Sequence, residues 1–318
     1  MSCTIRLLPD NDLMKSGSWT TNAEALSRNF SARFYCIDAH VPEETVRLLR
    51  ESCASRNVEF VHVEAEAFDY EPYHQANPGD MLYRAGVSAA AGFVEQHLYR
   101  RGVATFHASE DGPMVLRVNP LLAFQRAHLP VPRWVHVTVA TRDRLRQYVD
   151  RLGGLPVVLK FPGFSRGVGV TRIDSMGGLF SAVDYALEIG RIPVMCSFVD
   201  NATHWRAVVV GERMVSHYRN VMDEDDFRTS ASDRVEDFEA RAPSGLSEIA
   251  VGAVRTLGAE FGGVDILEHP SGRLYLLESN NPCYFASAQL TIGTDVSGTM
   301  VDYLLKKAER LKERAQLA

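Results

Sequence analysis

Lysine is scarce in this chain. Of its 34 basic residues only Lys15, Lys160, Lys306, Lys307 and Lys312 are lysines, and the rest are arginines. A GC-rich coding bias accounts for the imbalance, but it makes a mid-chain lysine worth noticing. Long apolar runs are missing as well. No stretch approaches the roughly 18 residues that a membrane helix needs, so no membrane partner is expected. Residues 1–10 carry Arg6 but neither a long apolar segment nor a small-residue cleavage motif, and do not read as a signal peptide. Cysteine is sparse and odd in number: Cys3, Cys36, Cys53, Cys196 and Cys283, with no C-x-x-C. That pattern excludes a disulfide framework or zinc knuckle and fits reduced thiols, so a cytoplasmic location is expected. The histidines form no H-E-x-x-H or H-x-x-x-H pair, and there are no repeats. A net charge of −6 argues against a general nucleic-acid binder. The acidic run Asp223 to Asp226 reads as a solvated turn.

What is present is the composition of a globular protein. The 318 residues are 46% hydrophobic and 23% charged, enough for about two domain-sized units whose cores need no staple. The first third alternates strand-like stretches (residues 4–8, 32–37 and 58–63) with helix-like ones (43–56 and 86–101). Such alternation predicts a parallel α/β layer. Leu129-Pro-Val-Pro132 punctuates the chain before a strand at 134–139 and a helix at 142–152. A strand at 156–161, a Gly-rich loop and a strand at 168–173 read as a hairpin, followed by a helix at 178–189. Strands then dominate, at 193–199, 205–210 and 214–218. Residues 246–261 make the clearest helix, because Leu246, Ile249, Ala250, Ala253, Val254, Leu257 and Phe261 form one stripe; Gly262-Gly263 reads as its stop. Strands at 264–267 and 273–277 and a helix from about Ser297 complete the pattern.

Gly163-Phe-Ser165-Arg-Gly167 matches the G-x-S-x-G pattern of hydrolase nucleophile elbows. That elbow needs a helix straight after the serine, and here a strand-like stretch follows. A Walker A loop is excluded because no Gly-Lys-Ser/Thr follows. A hairpin tipped with Gly163, Gly167 and Gly169 suits an anion instead: glycine lets backbone N–H groups approach phosphate, and Ser165 adds a hydroxyl. Lys160 precedes the loop in the apolar strand Val157-Val-Leu-Lys160-Phe. A buried ammonium needs an anionic partner, and a nucleotide phosphate in the adjoining loop would supply it. The plainer alternatives are a flexible turn and an exposed lysine.

Gly263-Val-Asp265-Ile and Leu276-Leu-Glu278-Ser-Asn280-Asn281-Pro282 fall on adjacent strands. Their apolar flanks predict that Asp265 and Glu278 enter a largely buried layer, where two carboxylates repel unless they share a proton or a cation. Glu278 and Asn280 lie two apart and project from one face. Carboxylate and carboxamide oxygens suit a hard cation such as Mg²⁺. The alternative is turn chemistry by Asn280, Asn281 and Pro282.

Taken in order, Val157-Val-Leu-Lys-Phe-Pro-Gly-Phe-Ser-Arg-Gly-Val-Gly-Val170, Trp205-Arg206-Ala-Val-Val-Val-Gly211, Gly263-Val-Asp265 and Leu277-Glu278-Ser-Asn280 resemble the ATP-grasp superfamily, and more closely its RimK-type amino-acid ligases. The resemblance spans about residues 81–318. It implies a three-part fold mixing α/β and α+β: an N-terminal α/β domain (1–112), a central lid (113–198) and a C-terminal α+β domain (199–318), with ATP gripped between the last two. It further implies that Lys160 contacts the α- and β-phosphates and that Gly163, Ser165, Gly167 and Gly169 close over the γ-phosphate. Cys196, Phe198 and Val199 would face adenine through backbone groups, and Asp200 would reach the ribose. Asp265, Glu278 and Asn280 would hold one or two Mg²⁺ ions, with Mn²⁺ as the alternative, while Arg206 and Arg228 would neutralise phosphate charge. Arg117 is the nearest basic residue to an earlier family lysine. The chain departs from the family pattern at Cys196-Ser197, where Gln-Glu is usual, at His204, where an acid is often found, and at Ser230, near an expected asparagine. Arg84, read as opening a helix after Met81-Leu-Tyr83, is a candidate for a substrate carboxylate, with a helix-surface arginine as the alternative.

The implied function is ATP-dependent carboxylate–amine ligation through an acyl phosphate. Its substrates would be amino acids or small peptides, and its product a linear amide or a ring. A homo-oligomer is compatible with it. An ATP-grasp kinase or carboxylate–thiol ligase is one alternative; a non-catalytic nucleotide-binding module is another, against which the intact Asp265, Glu278 and Asn280 argue.

Overall fold

A computed structural model describes residues 32–70, 75–109, 111–114, 119–161, 167–222 and 225–317. The strand expected at 4–8 lies outside them. In the N-terminal sheet, β1 (Arg33–Asp38) runs parallel between β2 (Glu59–Glu64) and β3 (Met81–Arg84). Parallel strands covered on both faces need apolar residues at successive positions, and Phe34-Tyr-Cys-Ile37 supplies them. Phe34 and Cys36 pack with Leu49 and Cys53 of α1 (Glu43–Ala54). Tyr35 and Ile37 pack with Ala91 and Val94 of α2 (Ala89–Leu98). Ser88 caps α2 by accepting from Ala91 N, so the helix starts three residues after the expected Gly86.

Asn119 and Pro120 open a short helix absent from the sequence expectations, α3 (Pro120–Arg126): Asn119 Oδ1 accepts from Leu122 N, and proline fits the first turn. The next sheet is antiparallel, in the order β4 (Trp134–His136), β7 (Val194–Ser197), β5 (Val157–Lys160), β6 (Val170–Ile173). The hairpin expected around the Gly-rich loop is thus β5–β6. One face of this sheet is covered by α4 (Arg142–Leu152) and α5 (Met176–Glu188) in a core of Leu145, Val149, Leu159, Leu179, Val183 and Met195.

The last sheet is antiparallel in the order β13 (Leu274–Asn280), β12 (Phe261–Glu268), β8 (Thr203–Val210), β9 (Arg213–Arg219). A two-stranded ribbon, β10 (Val221–Met222) with β11 (Thr229–Ser230), follows β9, and α6 (Val235–Glu239) comes next. One face of the large sheet carries Ala207, Val209, Val264 and Ile266 against α7 (Leu246–Thr256) and Phe124 of α3. The helix expected to reach Phe261 stops earlier, because Gly258 turns into the left-handed region at φ +67° and Phe261 starts β12. The residues after β13 form α8 (Ala286–Ile292) and α9 (Val296–Leu317). Among the described residues no helix is long and apolar enough to cross a membrane.

The other face of the large sheet shares one core with the N-terminal sheet and α9. Phe261 lies 5.7 Å from Tyr83, 5.1 Å from Phe106 and 6.2 Å from Phe285, ring centre to ring centre. Lys307 of α9 donates to Thr105 O at 3.0 Å and His107 O at 2.6 Å and pairs with Glu260. Phe261→Ala should therefore destabilise the whole chain by about 3–5 kcal/mol, read as a lower midpoint in guanidinium chloride unfolding. A loss below about 1 kcal/mol would show that the two sheets do not share that core.

Candidate active site

Four strands of the large sheet supply one row of side chains. Residues directly opposite in an antiparallel pair share a face. Asp265 of β12 lies between Arg206 of β8 and Glu278 of β13, with Tyr218 of β9 beyond Arg206. Simple alternation would not produce this row. Leu274 and Leu276 are buried with α7, and Glu278, two positions on, would point the same way. One extra residue, Leu277, intervenes between the pairs Ile266–Leu276 and Asp265–Glu278. This β-bulge turns Glu278 onto the face of Asp265 and carries Asn280 with it.

Asp265 is only 4% exposed. Its Oδ1 lies 3.1 Å from Arg206 Nε and 3.1 Å from His204 Nε2. Burial pushes the carboxyl up, but Arg206, His204 and a hydrogen bond with Glu278 outweigh it and hold it below the usual carboxylate range. Glu278 is exposed, not buried as its apolar flanks suggest, because β13 is an edge strand; its Oε1 accepts from Asn280 Nδ2 at 2.8 Å. Among the described residues no three His, Cys, Asp or Glu side chains gather in metal-holding geometry. The donor set here is two carboxylates and one carboxamide oxygen, which fits a hard divalent cation completed by ligand oxygens or water.

Gly263 gives Arg206 its place. A Cβ there would stand 2.5 Å from Arg206 Nη1 and 2.7 Å from Cys283 Cβ. Gly262 and Gly263 are thus strand residues of β12 and not the expected helix stop. Arg206 Nε is buried and makes no well-aligned hydrogen bond among the described residues, despite its closeness to Asp265. Burial pushes the Cys283 thiol up to about 12.

Lys160 ends β5 on the face turned away from α4 and α5, the same face as Cys196. Burial pushes the Cys196 thiol up and nearby Lys160 pulls it back. Gly167 and Gly169 have φ +73° and +77°, and Phe161 N donates to Gly169 O at 2.9 Å. Gly163, Ser165 and Arg117 lie outside the described residues. Phe198 and Asp200 line an open cleft of about 200 Å³ with Arg172 and the turn at Gly153 to Pro156; the Arg172 guanidinium lies 4.6 Å from the Phe198 ring centre. Val199, between them, is half-buried.

Phe227, Arg228 and Thr229, the first residue of β11, join these two groups. Phe227 meets Phe198 edge-on at 6.3 Å. Arg228 Nη1 donates to Gly167 O at 3.2 Å, while its Nε is held by Asp226 at 2.8 Å. Thr229 Oγ1 is hydrogen-bonded to His204 Nδ1. No local pattern marks Thr229; only the fold brings it to His204. Asn220, also missed from sequence, lies on the Tyr218 side of β9 with its buried Oδ1 unpartnered among the described residues.

Arg84 stands apart. It is the last residue of β3, not the start of a helix, and is 7% exposed. Its guanidinium donates to Glu95 Oε2 at 2.8 Å, Gly86 O at 2.7 Å and Asn281 O at 3.4 Å. His107 Nε2 lies 3.0 Å from the other Glu95 oxygen. The fork expected for a substrate carboxylate is thus already occupied by the protein.

A sequence model of the RimK-like ATP-grasp domain matches residues 115–304, well over half of the chain. The ribosomal protein bS6–L-glutamate ligase of Escherichia coli O7:K1 is 29% identical over 195 residues, which cover 61% of this chain and 63% of that relative's length. Among solved structures, a RimK-domain ATP-grasp protein from Sphaerobacter thermophilus superposes with a TM-score of 0.63 at 20% identity, covering 86% of this chain and all of that one. The ATP-grasp ligase PsnB, solved with a phosphomimetic precursor variant, Mg and ADP, superposes with a TM-score of 0.64 at 16% identity over 88% of this chain and all of that one. These likenesses agree with the mixed α/β and α+β architecture. The chain belongs to the RimK-like ATP-grasp family.

Proposed function

We propose that the chain is an ATP-dependent carbon–nitrogen ligase joining a carboxylate to an amine, with amino acids or peptides as substrates. The observation that carries this reading is the row Arg206–Asp265–Glu278 with Asn280, joined by Phe227, Arg228 and Thr229 to the Gly167 loop and the Phe198 hinge. The names of the relatives support it: one ligates glutamate to a ribosomal protein, and another is a ligase solved with a precursor peptide. In this reading residues 1–112, 113–198 and 199–318 are the N-terminal domain, the lid and the C-terminal domain. ATP lies between the last two, with Lys160, Gly163, Ser165, Gly167 and Gly169 on its phosphates. Cys196, Phe198 and Val199 meet adenine, Asp200 the ribose, and Arg117 is the remaining cationic contact. Asp265, Glu278 and Asn280 hold Mg²⁺ or Mn²⁺, which when bound neutralises phosphate oxygens.

The chemistry follows from charge. A carboxylate is a poor electrophile. Transfer of the γ-phosphoryl group to one of its oxygens breaks the bond to ADP and yields an acyl phosphate. The amine then attacks the carbonyl carbon, phosphate leaves with the C–O electron pair, and the nitrogen loses a proton. Arg206 and Arg228 supply positive charge near the oxygens on which charge gathers. Lys160 offers a point charge beside the loop. The glycine loop and lid exclude water, which would otherwise hydrolyse the acyl phosphate.

A screen of pooled amino acids and dipeptides, read by ADP release and product mass, tests the reading. ADP should form only when acid and amine are both present. A stable phosphorylated product without amine would replace the ligase by a kinase. Glu278→Ala should lower turnover by at least about 100-fold, while its melting temperature holds, because the side chain is exposed. Full activity in that variant would sink the cation assignment. Lys160→Met should raise the KM for ATP about tenfold or more, consistent with loss of a charged hydrogen bond. Lys160→Arg should recover only part of that affinity, since a planar fork replaces a compact ammonium; an unchanged KM in Lys160→Met would remove Lys160 from the phosphate site.

A further inference from the structure

We propose that His204 and Thr229 form a positioning pair that orients Asp265 toward the cation. The inference rests on Asp265 belonging to the cation site. Asp265 Oδ1 has two neighbours at the same 3.1 Å, but they differ in alignment. His204 Nε2 makes a well-formed hydrogen bond, whereas the Arg206 Nε–H is not aimed at the oxygen. Arg206 therefore supplies charge, and His204 supplies direction.

The bonding pattern follows from what each atom can do. An ionised carboxylate only accepts, so His204 Nε2 is the donor to Asp265. The other ring nitrogen, Nδ1, is held in a hydrogen bond with the Thr229 hydroxyl. Both ring nitrogens are used within the protein, which removes His204 from the set of cation ligands. The backbone of His204 is fixed as well: it pairs with Leu267 across β8–β12, and its carbonyl accepts from Asn220 N at 2.8 Å. The ring torsion is the freedom that remains, and Thr229 sets it. Thr229 directly follows Phe227 and Arg228, which touch the hinge and the glycine loop. The orientation of Asp265 thereby depends on a segment that also contacts the nucleotide side of the site.

Mn²⁺ binding in the presence of ADP, with no acid or amine present, tests this without turnover. Free Mn²⁺ is followed by electron paramagnetic resonance for the parent chain, Thr229→Val, Thr229→Ser and Asp265→Asn, and melting temperatures are taken without metal. Thr229→Val should weaken Mn²⁺ by about 10-fold, the usual size of an outer-shell effect. Thr229→Ser, which keeps the hydroxyl, should stay within about twofold. Melting temperatures of both should match the parent. If Thr229→Val binds Mn²⁺ like the parent while Asp265→Asn does not, the positioning pair is overturned and the proposed function stands. If serine fails to rescue, or if the loss of binding tracks a fall in melting temperature, the role is structural and the proposal is wrong. Unchanged binding in Asp265→Asn would remove the cation assignment and this inference together.

Discussion

A carboxylate taken out of water must be compensated, and in this chain that requirement falls on Asp265. Withdrawing an ion from water carries a penalty of several kcal/mol even after relaxation. Arg206 is the largest of the groups that offset it, and Arg206 lies where it does because residue 263 has no side chain. Leaving either partner alone in that layer would destabilise the fold by about 3–5 kcal/mol. The pair is therefore a joint condition on β8 and β12, and Glu278, His204 and Tyr218 are arranged around it. A second carboxylate, Glu278, stands directly opposite Asp265 across β12–β13, which makes the row more than a salt bridge. Under the proposed function a cation would enter the row from the side of exposed Glu278.

Around this row the molecule is stiff on one side and separable on the other. The large sheet, the N-terminal sheet and α9 share a core, tied by the Tyr83, Phe106, Phe261 and Phe285 rings, by Lys307, and by Arg84 reaching from β3 to Asn281. The sheet that carries Lys160 packs instead with α4 and α5 in a core built from its own segment of chain. A unit with its own core, joined through a short hinge, can shift as a body without exposing apolar surface elsewhere. The described links from it to the row run through Phe198–Phe227 and Gly167–Arg228, one ring contact and one hydrogen bond. Under the proposed function, weak, specific contacts of this kind would suit a lid that opens for a nucleotide.

The legible parts were those set by local pattern. The stripe of α7, the β5–β6 hairpin and the parallel N-terminal layer follow from periodicity and glycine placement, as does the pairing of the strands bearing Asp265 and Glu278. What escaped depends on long-range geometry. Strict alternation sends Glu278 into the core beside Leu276, and only the bulge at Leu277 reverses it. Gly262-Gly263 looks like a helix terminator until the guanidinium above it is known. Arg84 looks free until Glu95, eleven residues on, is folded back against it. The short helix α3 is a different case, since Asn119-Pro120 is a local start signal, though too few residues follow for a periodic stripe.

The lysine scarcity has a physical reading beyond coding bias. Arginine fills most cationic positions, including the planar pairings at Asp80, Asp302 and Asp184. Lys307 occupies a different kind of place: two backbone carbonyls and Glu260 converge on one point. An ammonium with three donors satisfies convergent acceptors, whereas a guanidinium would have to spread its donors across a plane. None of these partners lies near Lys307 in sequence, so its role could not be read there. Lys160 presents the same chemistry at the mouth of the glycine loop, where phosphate oxygens would converge in place of carbonyls. At Lys307 acceptors gathered around a point favour a point charge, and under the proposed function phosphate oxygens would do the same at Lys160.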